Sequence, residues 1–204
     1  MLNLVRKGAA EFIGVALFVT AIIGTSGAEL ARLALATTLA LGILLTAGIS
    51  GGHLNPAVSI YFFAKKQLGA GELLTYIAAQ LLGGFAGANL GAFLMGKSLG
   101  GITGAASAPS SAAIVGELIA TAVLVWIVGS LAAAEKGNLI PWAVGLWISA
   151  AAAFTATGAQ ANPAVTFGLL FNGGNLQTAG ALVIAQLGGV VLALLGIMFF
   201  GKKK

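Results

Sequence analysis

The stretch Gln160-Ala161-Asn162-Pro163-Ala164-Val165-Thr166-Phe167-Gly168 nearly repeats an earlier one, Gly52-His53-Leu54-Asn55-Pro56-Ala57-Val58-Ser59-Ile60. Asparagine favours the N-cap of a helix, and proline favours the first helical position, where its missing N–H costs nothing. Asn55 is therefore expected to cap a helix starting at Pro56, and Asn162 one starting at Pro163. The apolar segments that follow are short, 55–64 and 162–171. Ten helical residues rise about 15 Å, half the roughly 30 Å hydrocarbon thickness of a bilayer. Neither segment can cross a membrane alone.

Everything around these two boxes asks for a membrane. The 204 residues are 59% hydrophobic and 7% charged, against about 25% charged in an ordinary soluble domain. Six longer apolar segments, roughly 7–28, 31–49, 70–95, 110–132, 139–157 and 177–200, are each of spanning length. The first follows the basic pair Arg6-Lys7 but runs well past the 7–15 residues of a signal-peptide core, so it is read as a span. One domain over 1–204 suffices, with repeat one at 1–96, a connecting loop at 97–109 and repeat two at 110–204. The net charge of +5 is assigned to lysines flanking spans rather than to nucleic acid, which is not an expected partner; membrane lipid is. With six spans both ends of the chain share a side. That side holds Arg6, Lys7, Lys65, Lys66, Lys136, Lys202, Lys203 and Lys204, leaving Arg32 and Lys97 opposite. The bias places both ends in the cytoplasm and suits a protein of the cell membrane.

The chain is a duplication. Glu11 matches Glu117 at an offset of 106, Asn55 matches Asn162 at 107, and Gln80 matches Gln186 at 106. Each half carries three spans, an odd number, so the halves enter the membrane from opposite sides as inverted repeats. The two short helices then dip in from opposite faces and meet near the midplane. Irregular backbone at that depth is tolerated only when buried in protein or lining a wet cavity. The Gly-rich entries 50–54 and 157–161 supply such backbone, and a narrow aqueous path follows. Two helix N-termini, each equivalent to about +0.5 charge, converge on it and repel cations. The Asn55 and Asn162 amides can donate to a passing oxygen, and a water held by both donors is poorly placed to relay a proton. Gly83, Gly87 and Gly91 recur every fourth residue, a pattern that lets membrane helices pack closely.

Two Asn-Pro-Ala boxes (Asn55, Pro56, Ala57 and Asn162, Pro163, Ala164), inverted three-span repeats and a glutamate in the first span of each half resemble the aquaporins, the major intrinsic protein family. The stretch 45–59, LTAGISGGHLNPAVS, looks especially like its water and glycerol channels, and the resemblance covers essentially the whole chain. It implies an all-α fold of six transmembrane helices and two re-entrant half-helices, four channels per assembly, no cofactor, and passage of water and small neutral solutes. It also favours a supporting role for Glu11 and Glu117, accepting hydrogen bonds from the re-entrant loops, over proton transfer. His53 is the sole histidine, so no multi-histidine metal site is possible. Its repeat counterpart, Gln160, does not titrate, which favours a loop-fixing and path-lining role for both over pH gating.

One position departs from the family. In most aquaporins the residue three after the second Asn is arginine, lining an outer constriction; here it is Val165. Carrying over the other filter positions by spacing gives Ala159, Leu35 twenty before Asn55, and Ala150 twelve before Asn162, with Trp147 reaching the pore instead if the register slips one turn. Such a ring is wholly apolar. It predicts a constriction wider or less polar than that of a strict water channel, open to glycerol, urea, ammonia or dissolved gases. Alternatives are a secondary transporter, since broken helices and inverted repeats serve transport too, a closed-pore structural protein, and a leaky ion pore. No catalytic constellation accompanies them, so no enzyme activity is expected.

Overall fold

A computed structural model describes residues 2–98 and 100–200; Lys202, Lys203 and Lys204 of the charge bias lie outside them. Eight α-helices are present among these residues: α1 Leu2–Gly24, α2 Ala31–Ser50, α3 Pro56–Ala64, α4 Ala70–Leu94, α5 Ser111–Ala133, α6 Ile140–Phe154, α7 Pro163–Leu170 and α8 Leu176–Phe200. Six are long and apolar enough to cross a membrane, α6 together with the 3₁₀ turn Gly137–Leu139 that precedes it. Helices α3 and α7, nine and eight residues long, are the two half-helices. Helix α1 starts before the apolar run does, carrying Arg6 and Lys7 within its first turns. Hydropathy marks what lies in hydrocarbon, whereas the helical hydrogen bonds continue beyond it.

The packing obeys the duplication. Helix α1 lies against α4 and α2 as α5 lies against α8 and α6, while α3 meets α8 and α7 meets α4. The pairs α2·α6 and α3·α7 cross the axis that relates the halves. Polarity is inverted relative to a soluble protein. Leu74, Leu82, Ile184 and Leu195 face outward, and Glu11, Gln80, Glu117 and Gln186 have no exposed surface. Lipid satisfies the first group; only internal hydrogen bonds can satisfy the second.

The glycine row on α4 is where the helices touch. A Cβ on Gly83 would stand 2.5 Å from Phe12 O, one on Gly87 2.4 Å from Ala16 O, and one on Gly91 2.7 Å from Ile23 Cβ. On the neighbouring face of α4 a Cβ at Gly84 would meet Ala164 O at 2.3 Å, so this helix also seats the second half-helix. At Gly83, Gly84 and Gly87 the obstacle is backbone, which cannot yield as a side chain might. Gly87→Val is expected to destabilise the protein by about 3 kcal/mol through overpacking. Gly71→Ala on the same helix, where nothing lies within 4 Å, should stabilise it by roughly 0.5–1 kcal/mol. Thermal unfolding in detergent, followed by far-UV circular dichroism, checks both signs.

Candidate functional site

The site is built where the half-helices meet. Asn55 adopts an extended backbone (φ −160°, ψ 120°) and its side-chain oxygen accepts from Ala57 N at 2.8 Å. Asn162 does the same (φ −157°, ψ 110°) toward Ala164 N at 2.9 Å. Pro56 and Pro163 occupy the first helical positions. Each cap also ties the opposite box. Asn55 Nδ2 donates to Ala161 O and Asn162 Nδ2 to Leu54 O, both at 2.8 Å. An amide nitrogen carries two hydrogens, so each asparagine retains one donor after binding its partner loop. Both asparagines line a cavity of about 50 Å³, a volume on the scale of one or two waters.

The loops that present these caps are held by the two buried glutamates. Glu11 accepts from Ser50 Oγ (2.6 Å), His53 N (3.0 Å), Leu54 N (2.6 Å) and Gln80 Nε2 (2.7 Å). Glu117 accepts from Thr157 Oγ1, Gln160 N (2.9 Å), Ala161 N (2.7 Å) and Gln186 Nε2 (2.7 Å). All eight contacts come from donors, and none of the glutamate oxygens is exposed to the cavity. With its N–H groups bound to a carboxylate behind it, each loop is free to take a left-handed turn. Leu54 (φ 48°), Ala159 (φ 52°) and Ala161 (φ 46°) adopt a conformation non-glycine residues seldom enter. Leu54 and Ala161 are the residues whose carbonyls receive the asparagine amides.

His53 and Gln160 sit at equivalent points. His53 Nδ1 pairs with Ser59 Oγ at 3.1 Å, and Gln160 Oε1 accepts from Thr166 Oγ1 at 2.7 Å. Gln80 and Gln186 reach the same two hydroxyls, at 3.0 and 2.9 Å, and so link each glutamate to its half-helix. Both His53 and Gln160 line the cavity. The hydroxyls Ser50, Ser59, Thr157 and Thr166 belong to this network as well. Their signal was present, because each pair keeps the 107 offset of the boxes.

The outer positions carried over by spacing divide. Val165 and Ala159 are buried, at 1% and 2% exposure, one turn after and three residues before Asn162; neither lines the cavity. Leu35 is half-buried, one turn beyond the cavity-lining Leu39 and Ile43 on α2. Ala150 is a correction. It is exposed, on the outer stripe of α6 with Trp142 and Leu146, whereas Ile140, Val144 and Ile148 line the cavity. Loop length is the physical reason. Leu39 and Ile43 correspond to Val144 and Ile148 at an offset of 105, against 107 for Asn55 and Asn162, so two more residues separate helix and box in the second half. Two residues are a rotation of about 200° on a helix, which moves the inward place from Ala150 to Ile148. Nor does Trp147 reach the cavity: its indole N–H donates to Ala120 O at 2.9 Å and braces α6 on α5.

The matching geometry of the halves invites comparison with known channels. The model of the family described as Major intrinsic protein matches residues 1–157. The chain belongs to the major intrinsic protein family. Among relatives of this family, it is 33% identical to "Aquaglyceroporin AqpS" of Rhizobium meliloti, over 94% of this chain and 88% of that one. It is 31% identical to "Aquaporin TIP1-2" of Zea mays, over 97% and 87%. The aquaglyceroporin structure from Plasmodium falciparum superposes with a TM-score of 0.73 at 24% identity, covering 94% of each chain, and has the same fold. As a member, the chain is a multi-pass membrane channel with the aquaporin architecture.

Proposed function

We propose that this passive channel conducts water together with small uncharged solutes such as glycerol, urea or ammonia, and excludes protons and cations at the paired boxes. The observation that carries the reading is the reciprocal lock Asn55–Ala161 and Asn162–Leu54. It spends one amide hydrogen of each asparagine on the scaffold and leaves the other for a solute oxygen. Two helix N-termini flank that point, each contributing about half a positive charge. No fixed charge assists them at the outer ring, which we assign to Leu35, Ile148, Ala159 and Val165. An apolar ring offers water few hydrogen bonds and slows it by dewetting, while leaving neutral solutes unhindered by polar specificity.

The names of the relatives cover both water and glycerol channels, and the passive reading supports both solute classes for this chain. We further propose a homotetramer in the cell membrane with both ends of the chain cytoplasmic, supported by the lysine bias and the family.

Stopped-flow osmotic shrinkage of proteoliposomes with water, glycerol and urea tests the reading, with Val165→Arg alongside. Wild-type protein is expected to speed both water and solute flux over empty liposomes. The variant should lose glycerol and urea flux by roughly tenfold, the scale at which a changed pocket discriminates, with a smaller loss for water. Equal effects on every solute would sink the assignment of Val165 to the filter.

A further inference from the structure

The repeat symmetry breaks again beside the path. Counting 107 residues forward, His53 and Phe62 correspond to Gln160 and Leu169, so an aromatic pair in the first half has an amide and an aliphatic as its counterparts in the second. The Phe62 ring stacks on the His53 ring with centroids 4.7 Å apart and an interplanar angle of 19°. Tyr76 packs edge-on to His53 at 5.2 Å, and Tyr61 edge-on to Phe62 at 5.2 Å. Tyr76 is itself anchored, its hydroxyl donating to Ser50 O at 2.6 Å. With His53 Nδ1 also tied to Ser59, the stacked pair is clamped from both sides.

Its place along the path matters more than its rigidity. His53 and Phe62 line the cavity of about 50 Å³ beside the asparagines. The same two side chains line a wider vestibule of about 410 Å³, walled also by Lys7, Gln67 and Glu72. They therefore stand between the small cavity at the boxes and an open mouth on the face where α1 begins. There the path has an aromatic wall beside a polar ring, the combination that the outer ring of Leu35, Ile148, Ala159 and Val165 lacks.

We propose that Phe62, stacked on His53, sets a size limit for neutral solutes on the face where α1 begins. The proposal rests on the channel reading above. Water, a single heavy atom, passes the stacked pair while hydrogen-bonded to the loop. Urea and glycerol, with four and six heavy atoms, must shed their hydration and slide past a ring braced by His53 and Tyr61. Phe62 is thus a specificity-determining residue, and His53 positions it.

The test measures glycerol, urea and water permeability in the same proteoliposomes for wild type, Phe62→Leu and Phe62→Trp. Phe62→Leu installs the side chain found at the equivalent point of the other half. It is expected to raise the glycerol-to-water and urea-to-water ratios by roughly tenfold, the discrimination a reshaped pocket commonly supplies. Phe62→Trp should lower both ratios. Water flux in the same vesicles reports that each variant is folded and inserted. A ratio that stays at the wild-type value in either variant that still conducts water overturns the proposal. Wild-type protein that conducts nothing above empty liposomes removes the channel reading first, and this proposal with it.

Discussion

Glu117→Gln is expected to destabilise the protein more than any substitution facing the path, by about 3 kcal/mol, the scale of leaving buried donors unmatched. The two side chains are nearly isosteric, so the effect is one of hydrogen-bond polarity. Glu117 receives four contacts, from Thr157, Gln160, Ala161 and Gln186, and every one is a donor. A glutamine offers one oxygen to these donors and turns an NH₂ group toward the rest. At least one backbone N–H, at Gln160 or Ala161, is left facing another donor, against a Glu117 side chain that has no exposed surface. The left-handed turn at Ala161 then loses its support, and with it the carbonyl that receives Asn55. Glu11→Gln should behave alike, because its partners Ser50, His53, Leu54 and Gln80 are likewise donors. Thermal unfolding in detergent measures the loss. A glutamine variant that keeps wild-type stability but couples differently to a proton gradient would assign the glutamates to proton transfer instead.

Asn162→Asp is expected to turn the channel into a cation leak. The carboxylate can still accept from Ala164 N and cap α7, so the half-helix remains. It loses the N–H that binds Leu54 O, and it sets a negative charge between two helix N-termini that hold it ionised. A unit charge at about 4 Å is worth roughly 4 kcal/mol at an effective dielectric near 20. That is on the order of a thousandfold in the probability of finding a cation there, enough to cancel the repulsion of both dipoles. The cavity beside the boxes is lined, among the described residues, by no Asp, Glu, Lys or Arg that would compensate. Planar bilayers carrying the variant should pass a sodium or potassium current that wild-type protein does not. Silence in the bilayer, with water flux retained, would place the cation barrier away from the boxes.

Much of this architecture is legible without coordinates because its causes are local or periodic. The half-helices follow from Asn and Pro in sequence, since capping and the missing proline N–H are properties of adjacent residues. The duplication follows from polar residues standing out in an apolar chain: Glu11, Asn55 and Gln80 keep their offset to Glu117, Asn162 and Gln186. The supporting partners Ser50, Ser59, Thr157 and Thr166 keep the same offset, but hydroxyls are common enough in membrane helices to pass unnoticed.

The lining of the path was legible only in part. Helix α6 is apolar on every side, so no periodicity marks which stripe faces inward. Ala150 was reached by counting back from Asn162, and two extra residues in the preceding loop turned that count to the wrong face. Phe62 escaped for a related reason. It lies one residue from Tyr61 and Phe63 in a run of aromatics, and only the placement of His53 and Tyr76 around it distinguishes a pore wall from a packing residue.

By itself, then, the sequence determined that the chain crosses a membrane six times, that its halves are inverted, and that two asparagine-capped half-helices meet within it. These follow from hydropathy, parity and capping, which need no knowledge of distant contacts. Tertiary structure alone decided which apolar side chains wall the path, because a helix surrounded by lipid and protein buries every face in apolar matter. The direction of an inward stripe then depends on loop length and on the neighbour it meets, as Ile148 in place of Ala150 records.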